Sequence, residues 1–486
     1  MSKDSSRSLS SDDEYYGDNG EQFRGDIIQN KYALIEKIGY GSYSSVWLVF
    51  NIQDKEYYAM KIQNSEDYEE GIEEMKILKK LNEYKNKNII SLVDSFELVK
   101  KEVDKVKIKK GKKSYIKKKI EVNKYVCMVM PLMAGSIYSV IREGKYSKGI
   151  PVNIIKRCIK SLLKALLVVH NNIKYCHTDL KPENMLISGI SIKVKEIIDE
   201  YNSFSLIENA EIQLKQKIYS KNWDLNNVNT KKKYKKAKTL IYKKLHNEIL
   251  EKMICLESEH SDDSESESSS ENKNNPVVLT QKNRIDSDSS EIVEKEFKDQ
   301  EELSDTDSDQ VNSYEVIDDD TLNNSTIVLT DFGSSIKISK IDEEIQTRYY
   351  RAPEVIMGNN MNEKVDIWSI GCIVYELLTG NILFDPDKDE KYSRDFNHLY
   401  LIEELFGKIP SSMIKKSSRK QEFFDKKYNL KCGKVEKLDL EREITNKNYD
   451  IIDFINKCLV IDPSKRPSVE DLLNHKIFQN NSENLT

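Results

Sequence analysis

Apolar and polar positions alternate from Lys31 onward, in YALIEKI and YSSVWLVF, with the period of two that a half-buried strand shows. Alternation returns in VDKVKIKK, inside the Lys-dense stretch Lys100–Lys119 that separates the apolar runs NIISLVDSF and KYVCMVMPL. With the turn-like KGKK at its centre, this stretch predicts an elongated hairpin. Over residues 151–171 the period changes: Ile155, Cys158, Ile159, Leu162 and Leu166 recur three to four apart, which predicts a buried helix. The segment VDIWSIGCIVYELLTG, Val365 to Gly380, is apolar nearly all round and predicts a fully buried helix.

Two stretches break these patterns. Residues 1–30 begin rich in Ser, Asp and Glu and read as a disordered tail. Residues 189–324 carry a basic run, Lys231–Lys238, and an amphipathic-looking LIYKKLHNEILEKM. Acidic, Ser-rich blocks such as SDDSESESSSE and SDTDSD follow. Such a composition buries too little apolar surface to offset the entropy of ordering, so 189–324 is expected to be a mostly disordered spacer. Its removal (residues 200–320) is expected to leave catalysis intact. The Lys231–Lys238 run reads equally as a nuclear-import signal and as a solvated charge run.

Composition narrows the class. The chain has 486 residues, 38% hydrophobic and 33% charged, enough for a sizeable core beside solvated segments. A net charge of -6 argues against a simple cationic nucleic-acid binder, and direct nucleic-acid contact is not expected. No run approaches 18 apolar residues, and the start of the chain has no signal-peptide pattern. Seven scattered cysteines without a C-x-x-C pair imply reduced thiols. The expected location is the cytoplasm, with the nucleus second, and the expected state a monomer without membrane contact.

Four motifs follow in one order. Ile38 to Val46, IGYGSYSSV, is a Gly-rich turn whose Gly39 and Gly41 let backbone approach phosphates closely. Lys61 ends the strand YAMK, and Glu74 lies thirteen residues on in a probable helix; a phosphate-binding lysine needs such a carboxylate to orient it. In HTDLKPEN, Asp179 is placed to accept a hydroxyl proton, Lys181 to neutralise a transferring phosphoryl group, and Asn184 to ligate Mg²⁺. In TDFG, Asp331 is a second candidate Mg²⁺ ligand, and Ala352-Pro353-Glu354 closes the segment that follows.

This set resembles the eukaryotic protein kinases, over roughly 31–188 and 325–479. TRYYRAPE is similar to the group containing cyclin-dependent, MAP, LAMMER-type and SR-protein kinases (the CMGC group). GYGSYSSVWL, HTDLKPEN, EEIQTRYYR and EKYSRDFNHLYLIEELFGKIP, with the long insert, resemble SR-protein kinases most. The resemblance implies an α+β, two-lobed fold. A small β-rich N-lobe would span 31–133, and a helical C-lobe 134–188 and 325–479, with a tail at 480–486. It also implies ATP and Mg²⁺ as cofactors and transfer to Ser/Thr hydroxyls of protein substrates, Arg-Ser-rich ones first among them. Ile38, Gly39, Gly41, Ser44, Val46, Ala59, Lys61, Glu74, Met130 and Met133 would bind ATP, Ser44 standing at the third glycine position. Asp366 would brace the catalytic loop, and Arg466 would pair with Glu354. Arg348, Arg351 and Arg394 would form an anion pocket for a substrate phosphate, and Glu404 would draw substrate arginines. The chain departs from the SR-protein kinases in having D-F-G and A-P-E, and Asn397 where an acidic residue is usual. LAMMER-type or other CMGC substrates, and a pseudokinase scaffold, are the alternative readings.

Overall fold

A computed structural model describes residues 23–41, 43–110, 113–142, 144–263, 314, 317–341, 345–440, 444 and 448–479; for 102–121, 144 and 257–263 it describes the backbone alone. The expectations for 1–22 and 480–486 lie outside the described residues. Six antiparallel strands form the N-lobe sheet: β1 (Ile27–Ile28), β2 (Tyr32–Gly41), β3 (Ser44–Asn51), β4 (Tyr57–Gln63), β5 (Asp94–Lys110) and β6 (Lys113–Met130), in the order β1-β2-β3-β4-β6-β5. Alternation decides their faces. Trp47 and Val49 enter one core with Tyr32, Leu34 and Met60, while Leu48 and Phe50 face the other way. The sheet curls until its two edges meet, with Lys31 Nζ 2.7 Å from Asp94 and the Tyr32 hydroxyl donating to the same carboxylate at 2.7 Å. The expected elongated hairpin is β5–β6, paired without a break from Asp94↔Val129 to Lys110↔Lys113.

Helix α1 (Tyr68–Asn82) packs on this sheet through Met75, Ile77, Leu78 and Leu81. Glu69 and Glu70 in its first turn and Lys79 and Lys80 in its last complement the helix dipole. After β7 (Met133–Ser136) come α2 (Ile137–Arg142) and α3 (Val152–Leu167), then β8 (Tyr175–Cys176) and β9 (Met185–Ser188). The apolar positions read for α3 are all buried.

The expected tail and spacer need correction. Phe23 is buried edge-on against Tyr125 at 5.0 Å, so order begins before residue 31. In the spacer, residues 192–263 form three helices, α4 (Ile192–Ser203), α5 (Leu206–Ser220) and α6 (Val228–Asp263). Their apolar stripes, Val194, Ile197 and Tyr201 on α4, Leu206 and Ala210 on α5, and Ile241, Leu245 and Ile249 on α6, bury against Ala33, Ile35, Leu48 and Phe50 of the sheet. Averaged over 189–324, the acidic Ser-rich half masks these stripes. The Lys231–Lys238 run lies on α6, its lysines exposed. Removing 200–320 therefore strips an apolar face off the N-lobe; that expectation does not stand.

One buried polar contact fixes this docking. His246 of α6 donates from Nε2 to the Leu34 carbonyl on β2 at 2.9 Å and accepts the Tyr201 hydroxyl at Nδ1, 2.8 Å away. Burial pushes the imidazole down to about 4, from an ordinary 6.5. A lowered histidine contributes stability that is whole above pH 6.5 and lost as pH falls through 4, roughly 3 kcal/mol over that window. His246→Gln is expected to melt below the native chain at pH 7, with the gap closing toward pH 4 in thermal melts. A gap independent of pH would remove His246 as the titrating group.

The remaining strands and α-helices of the described residues complete the C-lobe. They are α7 (Asp319–Asn324), β10 (Ile327–Leu329), β11 (Ile336–Lys337), α8 (Pro353–Ile356), α9 (Lys364–Thr379), α10 (Arg394–Phe406), α11 (Ser411–Lys416), α12 (Lys420–Phe423), α13 (Tyr449–Cys458) and α14 (Val469–Leu473). Strand β9 pairs with both β7 and β10, and β8 with β11. These small sheets carry the residues either side of Asp179 and Asp331. Helix α9 is buried from Val365 to Leu378, as its apolar sequence requires. Among the described residues no helix is long and apolar enough to cross a membrane.

Candidate active site

The site forms where strand ends of both lobes face each other. Lys61, on β4, places Nζ 3.0 and 2.8 Å from the two carboxylate oxygens of Glu74 and 3.1 Å from Oδ1 of Asp331. Glu74 lies on the buried face of α1, so helix position and lysine position are coupled. Burial alone would discharge the lysine, but the two carboxylates outweigh it and raise its pKa above the ordinary value. The same ammonium holds Asp331 down to about 2, against the opposing effect of burial.

Asp179 stands across the cleft. Its Oδ1 accepts the Thr347 hydroxyl at 2.5 Å, and its Oδ2 lies 3.2 Å from both Lys181 Nζ and Asn184 Nδ2. The Asn184 amide also donates to the Asp179 carbonyl at 2.8 Å. Its NH₂ end is thus committed to Asp179, and its oxygen is the end left for a ligand. An ionised Asp331 and an amide oxygen are hard oxygen donors, the set that suits Mg²⁺.

Three residues at this centre adopt left-handed backbone: Thr178 (φ 68), Asp331 (φ 60) and Gln346 (φ 71). Non-glycine residues hold such angles only when their surroundings over-determine them. Here Asp366, on α9, accepts the His177 and Thr178 amides at 2.8 and 3.0 Å and His170 Nε2 at 2.7 Å. Its expected bracing position is therefore occupied. His177 Nε2 reaches the Thr330 carbonyl at 3.0 Å, tying the Asp179 loop to the Asp331 strand. Gln346 accepts the Ala352 amide at 2.9 Å and donates to Ser369 Oγ at 2.7 Å. The roles of Thr347 as a partner of Asp179 and of Gln346 as a backbone brace were not read from the sequence, although both stand immediately before the R-x-x-R-A-P-E run.

The expected nucleotide-binding residues also converge. Ala59 lies opposite Met130 in the β4–β6 register, Gly39 opposite Val46, and Gly41 opposite Ser44. Ile38 and Val46 pack against the cluster that holds Ala59 and Leu132, and Met133 opens β7 just beyond. A Cβ built on Gly41 would meet nothing within 4 Å, so open space lies beside that turn.

The expected substrate residues divide. Arg348 is buried and ion-paired with Asp395, which also binds Arg419 at 2.6 Å. Its Nη1 thus faces a carboxylate of its own chain. Arg351 donates from Nε and Nη2 to the Gln346 carbonyl at 3.1 and 2.9 Å, bracing local backbone. Arg394 begins α10, half-buried, and Glu404 lies ten residues on along that helix. Four exposed acids, Asp385, Asp387, Asp389 and Glu390, precede α10.

A lysine–glutamate pair across a sheet and a helix, a carboxylate on a catalytic loop and a second carboxylate after β10 define a phosphoryl-transfer fold and site. A family model described as Protein kinase domain matches residues 32–237 and 317–478. The chain belongs to the protein kinase family. Among its relatives, a serine/threonine-protein kinase of Acanthamoeba polyphaga mimivirus is 31% identical over 93% of this chain and 88% of its own. Protein kinase dsk1 of Schizosaccharomyces pombe is 27% identical (92% and 79% covered), and SRSF protein kinase 3 of Homo sapiens 26% (93% and 87%). Within the family the chain stands with serine/threonine kinases of the SR-protein type.

Proposed function

We propose that this kinase moves the γ-phosphoryl group of ATP, with Mg²⁺, onto Ser/Thr hydroxyls in Arg-Ser-rich proteins of the cytoplasm and nucleus. The observation that carries the reading is the pairing of Lys61 with both Glu74 and Asp331, opposite an Asp179 already engaged by Lys181, Asn184 and Thr347. Asp179 orients the substrate hydroxyl and accepts its proton. The oxygen of that Ser/Thr hydroxyl attacks the γ-phosphorus, and the bond to the β-phosphate oxygen breaks, so that ADP leaves. Lys181 neutralises charge on the transferring group, and Lys61 holds the α/β-phosphates. Mg²⁺, held by Asp331 and Asn184, would neutralise the phosphate oxygens.

Of the described residues between Asp331 and Glu354, Gln346 and Thr347 are held by hydrogen bonds to Ala352, Ser369 and Asp179. Thr178 stands where many kinases carry an arginine, and its hydroxyl donates to the Ser334 carbonyl at 2.6 Å. Protein made in bacteria and treated with phosphatase is therefore expected to phosphorylate peptide at full rate. A requirement for phosphate on Ser334, Ser335, Ser339 or Thr347 would sink this prediction.

The acids before α10 and Glu404 favour arginines along the substrate. Arg-Ser peptides are expected to turn over at least about tenfold better than Lys-Ser or Pro-directed ones, since Arg pairs bidentately with carboxylates. Glu404→Ala should narrow that preference. Equal rates for all three peptides would leave a Ser/Thr kinase of other specificity.

A further inference from the structure

Helix α6 packs one face on the N-lobe sheet and turns lysines outward on the rest. From Val228 to Asn247 it holds no acidic residue, and eight lysines between Lys231 and Lys244 are exposed. Three of these have partners. Lys243 pairs with Asp26 at 3.1 Å, Lys244 pairs with Glu248 at 3.4 Å, and Lys238 lies 5.6 Å from the Tyr242 ring. Lys231, Lys232, Lys233, Lys235 and Lys236 meet no acid among the described residues. Five cations thus crowd into roughly 8 Å of helix axis.

That density works against the helix. Lys231 and Lys235, and likewise Lys232 and Lys236, are neighbours four apart, where like charges repel. No acid stands in the first turn to offset them against the helix dipole. The helix holds because Ile241, Leu245 and Ile249 are buried on the sheet. An anion on the lysine face would relieve both penalties.

The adjoining corner selects the kind of anion. Burial, and after it Glu211, Tyr234 and Glu208, raise the Tyr242 phenol, which sets the first half of α5 beside the middle of α6. The two helices therefore run antiparallel, and counting back at equal rise brings Tyr219 level with Lys231–Lys235. Tyr219 is 91% exposed, and the exposed Lys215 and Lys221 flank it. Trp223 stands half-buried in the turn, its amide donating to the Ile218 carbonyl at 3.0 Å. Asp224 is the one acid from Ile212 to Asn247, and its carboxylate accepts the Asn226 amide at 2.9 Å.

Exposed rings beside unpaired cations suit a strand whose phosphates meet the lysines and whose bases stack on the rings. RNA presents such unpaired bases in its loops and ends. A lipid surface fits less well, because the apolar face of α6 that would enter it is already buried. The net charge of -6 averages this surface away. We propose that the lysine face of α6 and the α5–α6 turn with Tyr219 and Trp223 form one binding surface for single-stranded RNA.

The test is fluorescence anisotropy of a short labelled oligo(U) with the full chain. Affinity is expected to fall roughly a hundredfold from about 50 to 200 mM salt, as about five phosphate contacts on a single strand require. The variant Lys231→Gln, Lys232→Gln, Lys235→Gln, Lys236→Gln should bind at least about tenfold more weakly at the lower salt and keep native peptide turnover. Tyr219→Ala should weaken binding roughly fivefold or more, the worth of one lost stack. Failure to bind oligo(U), or binding that either variant leaves unchanged, would overturn the proposal. So would equal affinity for polyglutamate, which would make this a site for acidic protein, or for phosphatidylserine vesicles, which would make it a lipid site.

Discussion

Asp179→Asn is expected to lower kcat by roughly 10²–10⁴-fold, the usual worth of a positioned general base, with little change in the KM for ATP. The substitution removes the proton acceptor and leaves the shape. Lys181 and Asn184 both donate toward Oδ2, so the amide must present its oxygen to them and its NH₂ to Thr347. The Thr347 hydroxyl can turn to accept, because a hydroxyl both donates and accepts. Stability should therefore stay close to native while turnover collapses. Steady-state kinetics and a thermal melt on the same preparation separate the two effects. A variant keeping more than about a tenth of native kcat would remove Asp179 as the base.

Arg466→Lys is the second large effect, and it falls on stability. All five guanidinium donors are used. Nε binds the Val460 carbonyl at 2.6 Å, and the other two nitrogens bind the Glu354 oxygens at 2.6 and 2.7 Å and the carbonyls of Lys364 and Ile461 at 2.9 and 3.0 Å. Both side chains are 0% exposed, and the guanidinium lies 5.0 Å from the Trp368 ring. A lysine brings one ammonium with three donors and cannot fill a planar fork. The change leaves buried carbonyls unpaired and the Glu354 charge poorly met, a loss of about 3–5 kcal/mol. For a domain of this size that is roughly 5 °C in Tm. Because Glu354 ends the segment that carries Thr347, kcat should fall as well. A melt within about 1 °C of native would show that the pair contributes little.

Local pattern made much of this molecule legible. Alternation in YALIEKI and YSSVWLVF gave the strands that carry Gly39, Gly41 and Val46, and three-to-four spacing gave α3. The four chemical motifs named Lys61, Glu74, Asp179, Lys181, Asn184 and Asp331, and the fold brings all six to one cleft. Helices α4 to α6 were hidden by averaging. Their stripes occupy barely half of a span whose other half is acidic and Ser-rich, and composition weighs both together.

The sequence by itself determined the reaction class, because phosphate chemistry requires particular side chains at short, recurring spacings. It also determined the alternating strands β2 and β3 and the helices α3 and α9, because burying one face imposes a period. Only the tertiary structure decided which charges meet. Arg348 is paired with Asp395 forty-seven positions on, Asp179 with Thr347, and Asp26 with both Lys100 and Lys243. A charge in a sequence does not name its partner. Periodicity reports burial along one element, whereas an ion pair depends on where two elements cross, and that is set by the packing of the whole core.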